Sequence, residues 1–328
     1  MPARVCRTQG RGEQRPYDPL PPAASMRYHR SVMRAANQPV SWWGWHWEPP
    51  VPLSIVQILQ AGNMPPRLAA MFWLAMERGA SLIVAADPPS AGKTATLTAL
   101  LSLTPPETVA YFTRGAGETF ALPPRTDDHP TYILVNEMSD HLPVYTWDSY
   151  ARRAFELLAE GYSLATTVHA NTVDEVLAIL RDEIGVPPEQ ATRLTFIAPL
   201  HLGRDPEGGQ ALRRRVREVA FIQPGAGGEV TYRSIVRWDA GTDTFAVLES
   251  EEDRQALAGW CGVAPETLLA EIERREAFFQ RLLESGTASI PEVNAAIERF
   301  YAEEIRPRPD GRPSVAGGDS PWRGRRPA

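Results

Sequence analysis

Residues 81–94 read SLIVAADPPSAGKT, and this stretch decides the fold. Its first six residues, Ser81–Ala86, form a short apolar run between Gly79 and an Asp-Pro-Pro turn, which predicts a buried strand. The next eight, Asp87-Pro88-Pro89-Ser90-Ala91-Gly92-Lys93-Thr94, carry the spacing G-x-x-x-x-G-K-[ST], with Asp87 in place of the first glycine. A helix over Lys93–Leu103 follows. Strand, tight loop and helix N-terminus in that order let backbone amides converge on a phosphate. The N–H groups of Ser90, Ala91, Gly92, Lys93 and Thr94 point at the anion, with Ala95 in the first helical turn behind them. Lys93 then reaches phosphate oxygens, and the Thr94 hydroxyl is a ligand for Mg²⁺. Pro88 and Pro89 lack N–H groups but precede the amides that matter. Asp87 adopts left-handed backbone angles more readily than most residues, which keeps the loop closable.

Composition singles out the same place. Of the 34 basic side chains, Lys93 is the one lysine. Arginine's planar fork is too wide for a loop that wraps a phosphate, whereas lysine arrives as a compact charge on a flexible stem.

Outward from the loop, helices are predicted over Ser54–Ala61 and Pro66–Gly79, the second with Leu68, Met71, Phe72 and Ala75 on one apolar face. Downstream come strand 108–113 (TVAYFT), a polar loop to His129, strand 132–135 (YILV), a helix around Trp147–Glu160, strand 163–169 (SLATTVH) and a helix over Val173–Glu183. Strands alternating with helices predict an α/β fold, a mostly parallel sheet covered on both faces. Beyond Arg193, FIAPLHL, RRRVREVAFI, EVTYRSIVRWD and TFAVLE read as antiparallel strands that extend the sheet. Helices over Glu251–Cys261, Pro265–Glu284 and Pro291–Glu304 close the folded part.

Two of these strands end in chemistry. Tyr132–Val135 delivers Asn136 and Glu137 at its C-terminal end, the side of an open α/β sheet on which ligands bind. Glu137 is placed to orient or deprotonate water, or to hold Mg²⁺ through water; Asp140 is a weaker companion. The strand ATTVH brings His169 to a second strand end, where an imidazole can contact a terminal phosphate.

The rest of the composition mainly excludes. With 328 residues and 43% hydrophobic content there is enough chain for one sizeable core plus an appendage. No apolar run reaches the length of a membrane span and no apolar segment follows the N-terminal charges, so a cytoplasmic protein is expected. Cys6 and Cys261 make neither a disulfide framework nor a zinc cluster. Residues 1–48 and 306–328 each carry a net +4, which leaves about −14 on 49–305 out of the total −6. An acidic body argues against nonspecific nucleic-acid binding, although the Arg-rich tails can touch acidic lipid or nucleic acid. These tails lack periodicity and read as disordered. Trp42, Trp43, Trp45 and Trp47 form a dense aromatic cluster suited either to a domain edge or subunit seam or to docking on a membrane or another protein.

Taken together, the blocks PLSIVQILQAGNMPPRLAAMFWLAMERGASLIVAA, AGKT, YILVNEMSD, GYSLATTVHANTVDEVLAIL, RRRVREVAF and IVRWDAGTDTFAV resemble, in their order, the traffic ATPases of type II secretion, type IV secretion, type IV pili and archaella. The likeness runs from Pro52 to Tyr301, its helical end resembling archaeal-type members. It implies a RecA-like P-loop NTPase domain over 49–248 and a C-terminal helical region over 249–305. It also implies ATP and Mg²⁺ as ligands at Lys93 and Thr94, Glu137 as the catalytic glutamate and His169 as the histidine-box residue. The partners implied are further copies of the chain in a ring, such as a hexamer, and an inner-membrane platform protein, with the ring at the inner face of the membrane. The family has a glycine at Asp87 and an arginine at Ser139. It also has a longer segment before the glutamate, carrying a paired-acid box and arginines that reach a neighbour's nucleotide; here Arg114, Glu118 and Arg125 stand in that segment. Arg114 is the candidate for the charge-neutralising role. Residues 1–48 show no counterpart of the family's N-terminal domain. Three functions stay open: an ATP-hydrolysing motor subunit, a nucleotide-binding subunit deficient in hydrolysis, and a RecA-like motor on nucleic acid.

Overall fold

The computed structural model describes residues 53–125, 129–204 and 212–305. The basic tails, Cys6 and the tryptophan cluster lie outside these residues. The order of elements is α1 (Ile55–Gln60), α2 (Pro66–Glu77), β1 (Leu82–Ala85), α3 (Lys93–Leu101), β2 (Val109–Phe112), β3 (Thr131–Leu134), α4 (Asp148–Ala159) and β4 (Ser163–Val168). Next come α5 (Val173–Ala178), a π turn (Ile179–Ile184), α6 (Pro188–Ala191), β5 (Phe196–Arg204), β6 (Leu212–Val216), β7 (Glu218–Pro224), β8 (Val230–Asp239) and β9 (Thr244–Val247). Three helices end the described chain: α7 (Glu251–Cys261), α8 (Pro265–Glu284) and α9 (Ile290–Ile305).

The fold is α/β, a mixed sheet flanked by helices. Strand order is β2-β3-β4-β1-β5-β7-β8-β9, with β6 pairing on β5. The first five strands run parallel. β7, β8 and β9 add antiparallel strands at one side. Every residue of β1 is buried, as the near-continuous apolar strand of a doubly covered parallel sheet requires.

Alternation along β1 divides the core in two. Leu82 and Val84 join α1, α2, α3 and the C-terminal helices on one face. Ile83 and Ala85 join α4, α5 and the π turn on the other. Both layers thus hold the loop-bearing strand.

Two expectations change on folding. The expected one-sided apolar face of α2 is instead burial all round, from Leu68 through Met76, because α8 and α9 cover its second side. Trp73 lies 5.1 Å from Phe278 and 4.5 Å from Phe300, centroid to centroid, and its Nε1 donates to Tyr301 Oη at 2.8 Å. Arg275, 1% exposed, reaches from α8 to Glu77 of α2 at 2.5 Å and to Glu271 at 2.6 Å. The helix expected over 173–183 passes into the π turn, which ends at Gly185 in the left-handed region (φ +75°) with Val186 N donating to Leu180 O. No helix among the described residues is long and apolar enough to cross a membrane.

Candidate functional site

The loop after β1 takes its shape from Ser90 and Gly92, both in the left-handed region (φ +63° and +94°). Left-handed residues of this kind build turns whose amides can receive anions, but the Ala91 N–H, expected to point at the anion, donates to Pro88 O at 3.4 Å. Gly92 caps the N-terminus of α3 without a side chain, and no acidic residue stands in the helix's first turn. The first-turn N–H groups, Thr94 and Ala95 among them, therefore have no side-chain cap, and the positive end of the helix faces the loop. Asp87 is not among the residues with positive φ. A glycine is not needed at that position for conformation, and left-handed tolerance at Asp87 is not what closes the loop. Asp87 instead donates its backbone N–H to Asn171 Oδ1 at 3.3 Å.

Three side chains meet over this loop, Lys93 from the start of α3, His169 from the end of β4 and Glu137 from beyond the end of β3. Lys93, 8% exposed, donates from Nζ to Ala86 O at 2.8 Å, and Nζ lies 3.4 Å from His169 Nδ1. His169 Nδ1 is 3.2 Å from Asp87 O, and its Nε2 is 3.0 Å from Glu137 Oε1. Glu137 Oε1 is buried, and the imidazole is the group it faces.

The charges are interdependent. The Glu137 carboxylate raises the His169 pKa above its usual value, with the Asp87 carbonyl assisting, against burial and the Lys93 charge. Burial lowers the Lys93 pKa, opposed by Glu137 and Asp87. An ammonium held in place at a desolvation cost is ready to exchange its carbonyl partner for a stronger acceptor.

Further residues brace the cluster. Thr167 Oγ1 of β4 donates to Asn136 O at 3.1 Å, and Met138 bridges to Val168. These contacts fix the turn that presents Glu137. Burial, then Glu137, raises the Tyr145 pKa.

His141 was missed in the sequence and joins the group: ligand atoms of Glu137, His141 and His169 lie within 4.8 Å of one another. Its place four residues after Glu137 was the available signal. Thr94, on the other side of Lys93, is half-buried at the start of α3. Mg²⁺ takes oxygen ligands and keeps several waters. A Thr94 hydroxyl and the Glu137 carboxylate fit that demand better than the imidazoles do.

The arginines fall in unexpected places. Arg114 follows β2, two strands away from the neighbour of β1, and its N–H donates to Glu118 Oε2 at 2.7 Å. Arg214 of β6, read from sequence only as part of a strand, lies on the loop itself and donates from Nε to Ser90 O at 3.1 Å. Nothing in its local sequence separates it from Arg213 and Arg215.

No family model matches the chain. It is similar to two proteins of Methanocaldococcus jannaschii. It is 24% identical over 297 residues to the uncharacterized protein MJ0900, an alignment covering 79% of this chain and 51% of that protein. It is 22% identical over 254 residues to the uncharacterized protein MJ1287, covering 69% of this chain and 90% of that protein. The chain thus spans about half the length of the first.

Proposed function

We propose that the chain binds ATP with Mg²⁺ on the loop 87–94 of a RecA-like P-loop domain and hydrolyses it. The observation that carries this reading is the convergence of Lys93, His169 and Glu137 over the left-handed loop, with neighbouring polar atoms 3.0–3.4 Å apart. Insertion of β4 between β1 and β3 supports it. Two strand spacings, about 9–10 Å, separate β1, which leads into the loop, from β3, which leads to Glu137, and His169 stands between them.

In this reading the loop amides and Lys93 hold the β- and γ-phosphates, and Thr94 with Glu137 holds the metal directly or through water. Bound Mg²⁺ neutralises charge on the phosphate oxygens. Glu137 orients the water and accepts its proton, and His169 contacts the γ-phosphate side. Through its resemblance to the traffic ATPases, the reading extends to a subunit of a homo-oligomeric ring. That ring would sit in the cytoplasm against an inner-membrane platform protein and power a secretion or type IV pilus-like machine.

A second reading, a nucleotide-binding subunit deficient in hydrolysis, is favoured by one observation: Arg114, the candidate for the charge-neutralising role, follows β2, separated from β1 by β3 and β4. Phosphoryl transfer draws heavily on such a charge. Turnover of Mg-ATP by the full chain separates the two. Hydrolysis lost in Lys93→Ala supports the first. Tight binding with turnover no faster than the spontaneous reaction supports the second, and absence of ATP binding refutes both.

A further inference from the structure

We infer that Arg214 is a nucleotide-binding residue that grips the nucleoside end, ribose and base, rather than the reacting phosphate. The inference rests on the ATP-binding reading and deepens it. Along β6 the side chains alternate. Arg213 and Arg215 point to Asp243, Arg215 through two bonds of 2.8 Å and Arg213 at 3.5 Å. These contacts, Arg215 first, hold the Asp243 carboxyl down to about 2. Both arginines are thereby neutralised.

Arg214 points the opposite way. Its aliphatic stem lies over the loop: a Cβ added at Gly92 would sit 3.5 Å from Arg214 Cδ. Its one hydrogen bond to the loop is from Nε to Ser90 O. Among the described residues no carboxylate faces it, so both Nη groups remain as donors on a half-exposed cation.

The sheet tells which end of a nucleotide that cation meets. Glu137 and His169 follow β3 and β4, on one flank of β1. Arg214 comes from β6, which pairs with β5 on the other flank. With the terminal phosphate drawn toward Glu137, the remainder of the nucleotide extends across the loop to the β5–β6 side. There a planar guanidinium stacks on a base face and donates to ribose oxygens. Ser90, whose carbonyl it holds, is the left-handed residue that shapes the loop, so anchoring and ligand contact are joined in one side chain.

The test titrates the full chain, wild type, Arg214→Ala and Arg214→Lys, with Mg-ATP and Mg-ADP, and with inorganic tripolyphosphate as a competitor. Arg214→Ala is expected to weaken ATP and ADP by the same factor, about tenfold to a hundredfold, and tripolyphosphate, which feels only the loosened loop, by a clearly smaller factor. Arg214→Lys keeps the charge without the planar fork and falls between. Equal loss for all three ligands would show that Arg214 acts only by ordering the loop. Loss confined to ATP would place it at the terminal phosphate. Either result, or unchanged nucleotide affinity, overturns the inference while leaving ATP binding intact. A wild-type chain that binds no nucleotide, or whose nucleotide is not displaced by millimolar tripolyphosphate, removes the reading beneath it as well.

Discussion

Lys93→Met tests the site most directly, because methionine keeps the length of the stem and removes the charge. In the structure Nζ is engaged with one neutral acceptor, Ala86 O at 2.8 Å, and stands close to the His169 ring. Binding a nucleotide exchanges that carbonyl for phosphate oxygens. Charge-assisted hydrogen bonds contribute about 1.5–3 kcal/mol each, so two of them give about 3–6 kcal/mol. The surrendered bond to Ala86 O is charge-assisted too and offsets about 1.5–3 kcal/mol of this. The net is about 1.5–3 kcal/mol, or about 13-fold to 160-fold in dissociation constant. Isothermal titration of Mg-ATP against the folded variant reads this directly, with the thermal midpoint as a check on the fold. The midpoint should not fall much, since the variant removes an ammonium that burial disfavours. A variant that unfolds no sooner than wild type and binds ATP within about threefold of it would refute the assignment of the loop.

Glu137→Gln preserves shape while removing the proton acceptor. It should retain ATP binding and lose about 10²–10⁴-fold in single-turnover hydrolysis. His169 gives a pH signature: its folded pKa lies above 6.5 because of Glu137, so its stabilising contact is fully present below about pH 6.5 and fades as pH rises through the folded value. The stability difference between wild type and His169→Gln in urea should therefore shrink on going from pH 6 to pH 9; a difference that grows would contradict the Glu137 contact. Arg275→Ala leaves Glu77 and Glu271 facing each other without their shared cation. It should destabilise the fold by about 3–5 kcal/mol in denaturant unfolding, and a loss below about 1 kcal/mol would show the pair to be solvated.

The parallel part of the sheet was legible in the sequence because each strand is a compact apolar run whose burial needs no distant information. The runs before Asp87, Asn136 and His169 were readable in this way, and each stops at a polar residue on the ligand-binding side. Other features were misread because the local pattern was shared by alternatives. Leu180 and Ile184, four apart, suit an α-helix, and the wider π turn emerges only with Gly185 and Val186 in place. RRRVREVAFI carries no break at Arg217, yet β6 pairs with the second half of β5 and β7 with its first two residues. Register against a common neighbour is a long-range quantity.

What the sequence by itself determined is the loop and its company: Lys93 as the one lysine, and Glu137 and His169 at strand ends. These are contiguous patterns, each encoding its own local structure. Only the tertiary structure decided who stands beside them. It put β4 between β1 and β3, bringing His169 to 3.0 Å from Glu137. It carried Arg214 across 124 positions to Ser90 while Arg114 stayed at the far strand. It also closed α8 and α9 over Trp73, supplying the cover for the second apolar side of α2. Side-chain periodicity says which face of an element is apolar, but strand order and packing set which charge meets which loop, and a chain's local preferences hold no record of that.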